Sequence, residues 1–348
     1  MKSAAYAALR AGEKLVPHTV DRREPGPRDV VIDILFCGVC HSDIHQARDE
    51  WGGALFPMVP GHEIVGRVSR VGVDVKKVRV GDLAGVGCMV DSCRTCTPCA
   101  DDHEQFCEST CAYTYNGTEM NRSTPTYGGY SSQVVVAEGF VLRVPEKLDP
   151  AAAAPLLCAG ITTYSPLRRF GVKKGTRVGV VGLGGLGHMA VKLAASMGAE
   201  VTMLSTSPAK RADAQRLNAS DFQLTTDPAT WTKLKGRFHL IVNTISAEHD
   251  LNAYMGLIRP FGTMVLLGVP PKPGSLAAGS LIGGNKSLAG SLIGGIRETQ
   301  EMLDYCAEHG VTSDVEVVPV SQVNETYERT LKGDVRYRFV LDVASLRS

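Results

Sequence analysis

The chain has 348 residues, of which 44% are hydrophobic and 21% are charged, and its formal net charge at pH 7 is +1. This length exceeds the usual size of one hydrophobic core, so two domains are expected. The near-neutral charge gives no reason to expect nucleic acid or an anionic membrane as a partner. No apolar run approaches the roughly 20 residues of a bilayer-spanning helix, and residues 1–15 lack a secretory signal pattern, so the cytoplasm is the expected location.

The first 150 residues have the pattern of an irregular, mostly β domain. Short apolar runs such as Asp29–Phe36 and Ile64–Val71 are separated by glycines at strand-and-turn spacing. Both runs alternate poorly between apolar and polar residues. They therefore predict strands that are buried on two sides.

Two short segments of this region carry side chains that can bind a metal. The thiol of Cys40, the imidazole of His62 and the carboxylate of Glu63 are all competent zinc ligands. A His beside a Glu is also commonly a surface pair or a satisfied core pair. These residues alone therefore leave both interpretations open.

A run of fifteen residues contains four cysteines, Cys93, Cys96, Cys99 and Cys107. In a reducing compartment such spacing favours metal ligation over disulfides. Four thiolates satisfy tetrahedral zinc and leave no open position, so the predicted site is structural. Four buried or free cysteines are one alternative, and an iron–sulfur cluster is another. Zinc is favoured because the fourth cysteine comes later than in a ferredoxin-type run and is followed by Glu108 instead of Pro.

From about residue 175 the pattern alternates between strand and helix, after an expected helix start at Ala151–Ala154. The runs are Thr176–Val181 (strand), His188–Met197 (helix), Glu200–Leu204 (strand), Phe238–Ile245 (strand) and Thr263–Val269 (strand). This alternation predicts a parallel sheet with helices on both faces.

The segment between the first of these strands and the helix is rich in glycine. Its residues are Gly182, Leu183, Gly184, Gly185, Leu186 and Gly187. The spacing G-x-G-x-x-G permits a tight turn and a close approach of the backbone to a pyrophosphate, and the helix N-terminus beyond it favours the phosphates. Between a strand and a helix, this motif predicts a dinucleotide cofactor.

The end of the second strand indicates which dinucleotide is bound. NAD-dependent enzymes usually place Asp or Glu there, and its charge repels a 2′-phosphate. The segment Leu204–Arg211 has no acid, and its polar residues are Ser205, Thr206, Ser207, Lys210 and Arg211. Three hydroxyls and two cations suit a dianionic phosphate, so NADPH is predicted. An ordinary polar turn with an exposed basic pair is the alternative.

The pattern Gly61-His62-Glu63-x2-Gly66-x5-Gly72 resembles the signature of the zinc-containing medium-chain alcohol dehydrogenases. The Cys40-His41-Ser42-Asp43 segment, the cysteine quartet and the glycine loop follow the order of that family, from about Arg28 to the C-terminus. The segments that most resemble its cinnamyl alcohol dehydrogenase branch are Cys37–His45, Leu156–Pro166 and Gly182–His188.

The resemblance implies an α/β fold with two domains. Residues 1–154 and 290–348 would form a GroES-like, mostly β catalytic domain, and residues 155–289 a doubly wound Rossmann domain. Cys158 would join Cys40 and His62 on a catalytic zinc, since two cysteines and one histidine are the ligand set of alcohol dehydrogenases. Two zinc ions per chain are therefore expected. A homodimer joined through the Rossmann sheets is also implied.

The same resemblance implies roles for residues around the catalytic metal. Glu63 would be a ligand that exchanges with water, and Asp43 would bind the far nitrogen of His62 and fix its tautomer. Ser42 and His45 match the hydroxyl and the imidazole through which the family moves a proton. Without that context, Ser42 would be interpreted as a turn hydroxyl and His45 as a surface histidine.

Further residues are assigned to the cofactor and the substrate. His41 matches a position where a cation can meet the cofactor pyrophosphate, and Trp51 is expected to form a pocket wall facing the zinc. The residues expected to line the nicotinamide half are Thr162, Thr244, Gly268, Ser291 and Ile293.

The implied function is hydride transfer between NADP(H) and a small-molecule alcohol or aldehyde. Expected substrates are aromatic primary alcohols and aldehydes, such as cinnamyl and benzyl compounds, and medium aliphatic ones, with aldehyde reduction favoured. One rival is a zinc-free enoyl or quinone reductase on the same fold, which would lack Cys40, His62 and Cys158 together. The other is a non-catalytic NADPH-binding protein, which would need neither metal ligands nor a proton relay.

Overall fold

A computed structural model describes residues 1–347, and the chain divides into two units. Unit 1 consists of Met1–Ile161 and Gly294–Ser348, and unit 2 of Thr162–Ile293. The predicted bounds of the Rossmann domain, residues 155–289, stay a prediction. Across residues 1–347, no helix combines the length and the apolar character that crossing a membrane would require.

The N-terminal part of unit 1 is mostly β, as the sequence predicts. Its strands are β1 (Lys2–Ala7), β2 (Val16–Asp21), β3 (Asp29–Gly38), β4 (Ile64–Val71), β5 (Leu83–Val86), β6 (Met89–Asp91), β7 (Ala112–Tyr113), β8 (Gly117–Thr118), β9 (Pro125–Thr126), β10 (Gln133–Ala137) and β11 (Leu142–Arg143). Its helices are α1 (His41–Ala47), α2 (Thr97–Ala100) and α3 (Pro150–Ala153), while α4 (Ala159–Arg169) continues into unit 2. Short 3-10 turns cover Glu104–Phe106, Glu138–Phe140 and Ala154–Leu157.

Unit 2 is a parallel α/β fold. Its strands are β12 (Arg177–Val181), β13 (Glu200–Ser205), β14 (Asp221–Leu224), β15 (Phe238–Asn243), β16 (Ile258–Leu266) and β17 (Ser287–Gly290). Its helices are α5 (Gly187–Ser196), α6 (Arg211–Arg216), α7 (Pro228–Lys233), α8 (Leu251–Leu257) and α9 (Ala278–Ile282). The strand order is β14-β13-β12-β15-β16-β17 with every pair parallel. This is the order of a doubly wound sheet.

One predicted strand of unit 2 is wrong at its start. The sequence places it at Thr263–Val269, but β16 begins at Ile258 and runs through Pro260 and Phe261. A Pro followed by Phe and Gly predicts a turn. The structure instead accommodates Phe261 at a φ of +61°, and the pairing of β15 with β16 shifts register nearby.

The chain returns to unit 1 through α10 (Ile296–His309), β18 (Val315–Pro319), α11 (Val323–Leu331) and β19 (Arg338–Asp342). The main sheet has the order β11-β5-β4-β3-β19-β18, and β10 also pairs with β3. Near the end of β3, Cys37 lies opposite Ile64 of β4 and Leu341 of β19. The residues just outside these three strands are therefore brought close together.

Candidate active site

Three segments that are far apart in the sequence bring four metal-competent side chains together in unit 1. Cys40 precedes α1, His62 and Glu63 precede β4, and Cys158 lies between the third 3-10 turn and α4. One ligand atom from each of these residues lies within 4.8 Å of the other three. The structure thus brings together the whole set that the resemblance assigns to a catalytic zinc.

The chemistry of this donor set fits zinc. With Zn–S bonds near 2.3 Å, two sulfurs on one tetrahedral ion lie about 3.8 Å apart, which is within the 4.8 Å spread of the group. The hydrogen bond between Cys158 and Cys40 lowers the pKa of Cys40 well below its usual range and raises the pKa of Cys158. Because zinc binds thiolates, a bound metal would displace the thiol proton of this pair.

Asp43 fixes the orientation of the His62 ring. It is fully buried on α1, and its Oδ1 lies 3.1 Å from His62 Nδ1 and accepts a hydrogen bond from the Gly61 N–H. Its Oδ2 accepts hydrogen bonds from the Cys40 N–H at 2.8 Å and the Tyr130 hydroxyl at 3.2 Å. Burial lowers the pKa of His62, but Asp43, Cys88 and Cys40 together raise it by more, so that the pKa lies well above its usual value. Because Nδ1 faces Asp43, Nε2 is the nitrogen left for a metal.

Glu63 has a buried partner that the sequence analysis missed. A guanidinium nitrogen of Arg338, at the start of β19, donates a hydrogen bond to Glu63 Oε1. Glu63 Oε2 is buried and has no hydrogen-bond partner among the described residues. Burial raises the pKa of Glu63 to about 8, although Arg338 acts in the opposite direction. A metal bound by Glu63 would compensate the charge of this buried carboxylate.

The proposed proton relay lies on and beside α1. Ser42 Oγ is 3.5 Å from Cys40 Sγ. His45 Nδ1 is 2.5 Å from Glu50 Oε2, and its ring stacks on Trp51 with 5.2 Å between the centroids. Since Nδ1 faces a carboxylate, Nε2 is free to exchange a proton. Trp51 is 56% exposed within this chain and covers His45.

The cysteine quartet forms a second metal-competent group. The ligand atoms of Cys93, Cys96, Cys99 and Cys107 lie within 4.8 Å of one another, and the sulfurs of Cys93 and Cys99 are 3.9 Å apart. The backbone N–H groups of Thr95 and Cys96 lower the pKa of Cys93 to about 5, whereas burial raises the pKa of Cys99 to about 12. A closed four-sulfur set around one ion fits structural zinc.

The glycine loop of unit 2 has the geometry that a bound pyrophosphate needs. Gly182 has a φ of +90°, and a Cβ on Gly187 would lie 1.9 Å from the Gly182 carbonyl oxygen. A side chain at Gly187 would therefore force the loop open. The Thr244 hydroxyl donates to the Val181 carbonyl at 2.8 Å, which ties β15 to the loop, and a Cβ on Gly268 would lie 2.1 Å from a backbone oxygen. Leu183, Gly184, Gly185 and Leu186 complete the loop before α5.

The segment predicted to bind a 2′-phosphate follows β13. The Ser207 N–H donates to Ser205 Oγ at 3.2 Å, and Thr206 between them is exposed. Lys210 ends a short 3-10 turn that begins at Pro208. The guanidinium of Arg211 lies over the Phe222 ring, 4.7 Å from its centroid. Arg211 is therefore turned toward β14.

The remaining predicted residues lie in α1 and α4 and in the segment that follows β17. His41 is exposed as the first residue of α1, and Thr162 is buried in α4. The Ser291 N–H donates to the Leu266 carbonyl at 3.3 Å, just after β17. Ile293 has a φ of +36°, an unusual value for a β-branched residue.

Comparison with known proteins identifies the family. Residues 26–146 match the model of the alcohol dehydrogenase GroES-like domain, and residues 185–308 match that of the zinc-binding dehydrogenases. The chain belongs to the zinc-binding alcohol dehydrogenase family. It is 55% identical over 345 residues to an NADP-dependent alcohol dehydrogenase C of Mycolicibacterium smegmatis, covering 99% of both proteins. It is 50% identical over 348 residues to an aldehyde reductase of Escherichia coli, again covering 99% of both.

The solved structures agree with this assignment. A cinnamyl alcohol dehydrogenase from Sorghum bicolor is 45% identical and superimposes with a TM-score of 0.96, covering 99% of this chain and 98% of that one. The predicted resemblance and the predicted combination of a GroES-like and a Rossmann domain are confirmed.

Three residues beside the metal-competent set were not found from the sequence. Arg338 pairs with Glu63, Glu50 pairs with His45, and Tyr115 stacks on His62 with 5.8 Å between the ring centroids. Of the three, only Arg338 could have been suspected from the sequence, because a cation directly before the apolar residues of β19 is unusual in a buried strand.

Proposed function

We propose that the chain is a zinc-dependent alcohol dehydrogenase that interconverts primary alcohols and aldehydes by hydride transfer with NADP(H). The observation that supports this most is the convergence of Cys40, His62 and Cys158 from three distant segments on one point, where His62 and Cys158 are buried and Cys40 is half-buried. A zinc-free reductase has no use for such a set. A non-catalytic NADPH-binding protein has no use for the relay groups beside it.

The metal would be held by Cys40, His62 and Cys158, with Glu63 as an exchangeable fourth ligand. When bound, zinc supplies Lewis-acid polarisation of a carbonyl and lowers the pKa of an alcohol. The protein's part is to hold these ligands in place. Asp43 does so through four hydrogen bonds, and Arg338 holds one oxygen of Glu63.

Proton transfer would run through Ser42 and His45. In aldehyde reduction NADPH would supply a hydride to the carbonyl carbon and the oxygen would take a proton, which gives an alcohol and NADP⁺. Ser42 can pass that proton on because its hydroxyl both donates and accepts. His45 can supply it from Nε2 while Glu50 stabilises the charged ring through Nδ1.

NADP(H) would bind along the carboxyl ends of the unit 2 strands. The loop Gly182–Gly187 would hold the pyrophosphate at the start of α5. Ser205, Thr206 and Lys210 would bind the 2′-phosphate, since their segment offers hydroxyls and a cation without a competing acid. The NADP-dependent relative supports this choice of cofactor. The Lys210→Ala variant should weaken NADPH binding about tenfold or more, whereas the exposed Lys233→Ala should leave it unchanged.

Aldehydes with an aromatic or medium aliphatic chain are the proposed substrates, and reduction the proposed direction. The aldehyde reductase and the cinnamyl alcohol dehydrogenase among the similar proteins support both points.

A homodimer through unit 2 is also proposed, because β17 is an edge strand and the neighbouring Ile282 is 75% exposed. Within residues 1–347 none of the ten cysteines is in a disulfide, which supports a reducing compartment such as the cytoplasm.

The decisive assay measures NADPH and NADH oxidation with cinnamaldehyde and benzaldehyde, before and after chelation and after zinc is restored. We expect turnover with NADPH, loss of turnover on chelation and recovery with zinc. Turnover that persists without zinc would favour an enoyl or quinone reductase. Absence of turnover with every aldehyde would favour a binding protein, and equal affinity for NADH would contradict the cofactor assignment.

A further inference from the structure

The loop between β15 and α8 begins at a buried amide side chain. Asn243 is the last residue of β15 and is 1% exposed, and it pairs with Val181 of β12 on one side and with Leu266 of β16 on the other. The glycine loop follows directly after Val181. In open α/β sheets, ligands bind at the carboxyl ends of the strands. The side chain of Asn243 therefore lies at the end of the unit 2 sheet that is assigned to the cofactor.

Three contacts determine the orientation of the Asn243 amide and the tautomer of His249. The Ile245 N–H lies 3.1 Å from Asn243 Oδ1, and since a backbone N–H can only donate, the amide oxygen must face it. The amide nitrogen then faces His249 Nε2 at 2.7 Å and donates to it. His249 therefore carries its proton on Nδ1, which lies 2.8 Å from the Ala247 carbonyl oxygen, a group that can only accept. Each donor in this chain of hydrogen bonds meets an acceptor.

The ring of His249 packs against α8. It meets the ring of Tyr254 edge-on, with 5.7 Å between the centroids and 78° between the planes. Tyr254 is 5% exposed, belongs to the core of unit 2 and meets Trp231 in the same edge-on manner. Edge-to-face ring pairs are favourable beyond the area that they bury. The hydrogen bond from Asn243 thus joins the end of β15 to a fixed point six residues further along the chain.

The segment that this hydrogen bond closes lies against two glycines assigned to the cofactor site. A Cβ on Gly182 would lie 3.0 Å from Thr244 Oγ1 and 3.3 Å from the side chain of Ile245. A Cβ on Gly268 would lie 2.1 Å from the Ile245 carbonyl oxygen. Ile245 therefore approaches Gly182 with its side chain and Gly268 with its backbone, while its own N–H is held by Asn243. A shift of Ile245 would change the surface at both glycines.

We propose that Asn243 and His249 are positioning residues for the cofactor. Their hydrogen bond holds Ile245 against Gly182 and Gly268, so that this part of the site is formed before NADP(H) binds. A site that is already formed binds more tightly, because no binding free energy is lost in ordering the loop. This inference rests on the proposed function, because it takes Gly182 and Gly268 to be parts of the cofactor site.

The test measures the Kd for NADPH by fluorescence titration in the full-length enzyme and three variants. His249→Leu removes the acceptor of the Asn243 amide, Asn243→Ala removes both hydrogen bonds of that amide, and His249→Gln offers a side-chain oxygen as a replacement acceptor. The Kd should rise about fivefold in His249→Leu and about tenfold or more in Asn243→Ala. His249→Gln should stay within about twofold of the wild type.

Two further measurements separate positioning of the cofactor from general stability. The KM for NADPH should rise with the Kd, whereas kcat with cinnamaldehyde at saturating NADPH should change by less than about twofold. Hydrogen–deuterium exchange of the peptide that contains Ile245 should become about tenfold faster in Asn243→Ala, because the Ile245 N–H loses its acceptor.

The matched control is His309→Leu, which replaces an exposed histidine of α10 whose Nδ1 also lies near a backbone carbonyl oxygen, at 3.0 Å. It should bind NADPH as the wild type does. His249 is only half-buried, so its two variants decide the question even if Asn243→Ala does not fold.

Unchanged NADPH affinity in His249→Leu would overturn the proposal, even with faster exchange at Ile245, because the hydrogen bond would then serve the loop alone. Equal losses in His249→Gln and His249→Leu would also overturn it, since the acceptor at Nε2 would not matter. Failure of the wild-type enzyme to bind NADPH would instead refute the proposed function, and this inference with it.

Discussion

Replacing Arg338 with Met tests the electrostatic support behind the metal-competent set. Arg338 is 5% exposed and Glu63 is fully buried, so their pair is shielded from water. Removing one member of a buried pair leaves the other charge uncompensated, at a cost of about 3–5 kcal/mol. Burial already raises the pKa of Glu63 to about 8 with Arg338 in place. Glu63 can therefore escape part of the cost by taking a proton, which places the expected loss near 3 kcal/mol.

The assay is thermal unfolding of the metal-free protein at pH 9, where Glu63 is ionised and no metal compensates its charge, followed by circular dichroism. In a unit of roughly 200 residues each kcal/mol lowers the Tm by about 2–4 °C, so Arg338→Met should lower it by about 10 °C. Glu63→Gln should lower it similarly, and the double variant by less than the sum. Arg79→Met, which breaks the exposed pair with Asp82, is the matched control and should shift the Tm little. An unchanged Tm for Arg338→Met, or a double variant equal to the sum, would refute this reasoning.

Three further predictions concern the two metal sites, the glycine loop and one histidine of unit 2. Cys40→Ser should abolish NADPH oxidation and leave the far-UV spectrum unchanged. Cys96→Ser should instead lower the Tm and the zinc content, by one equivalent per chain, before it affects turnover. The reverse result would mean that the catalytic and structural sites have been exchanged. Gly187→Ala should raise the Kd for NADPH about tenfold or more, because its Cβ would lie 1.9 Å from a loop carbonyl; titration showing normal affinity would contradict the assignment of the loop. Burial lowers the pKa of His239, so the unfolded chain binds its proton more readily than the folded one, and stability should rise as the pH increases toward about 6.5. In urea unfolding, the free energy of unfolding of His239→Gln should rise less with pH over the same pH range. Identical pH dependence for the variant and the wild type would show that His239 is not the cause.

The elements with strong periodicity were predictable from the sequence. The predicted strand Ile64–Val71 coincides with β4, and the strand–helix–strand unit around the glycine loop agrees with β12, α5 and β13 to within one or two residues. The predicted burial of Ile64–Val71 on two sides is wrong for the second half of β4, where Arg67, Ser69 and Arg70 are exposed. The start of β16 was not predictable, because the strand continues through Pro260 and Phe261 only with a break in its pairing, where the register jumps from Phe238–Ile258 to Leu240–Thr263.

The metal ligands were predictable from the sequence, but the residues that support them were not. Spacing alone brought out the cysteine quartet, and the family signature brought in Cys158. Arg338 and Glu63 are 275 residues apart, so no local pattern could join them. Such partners come from the tertiary fold and not from propensity.

The central claim is that Cys40, His62 and Cys158 hold one metal ion at the reaction centre. Anomalous scattering from crystals of the purified protein, collected at the zinc edge, measures this directly. We expect two peaks per chain, one of them about 2.3 Å from the sulfurs of Cys40 and Cys158 and in contact with His62, and the other among the four cysteines. A crystal of active enzyme with no peak beside Cys40 would contradict the claim.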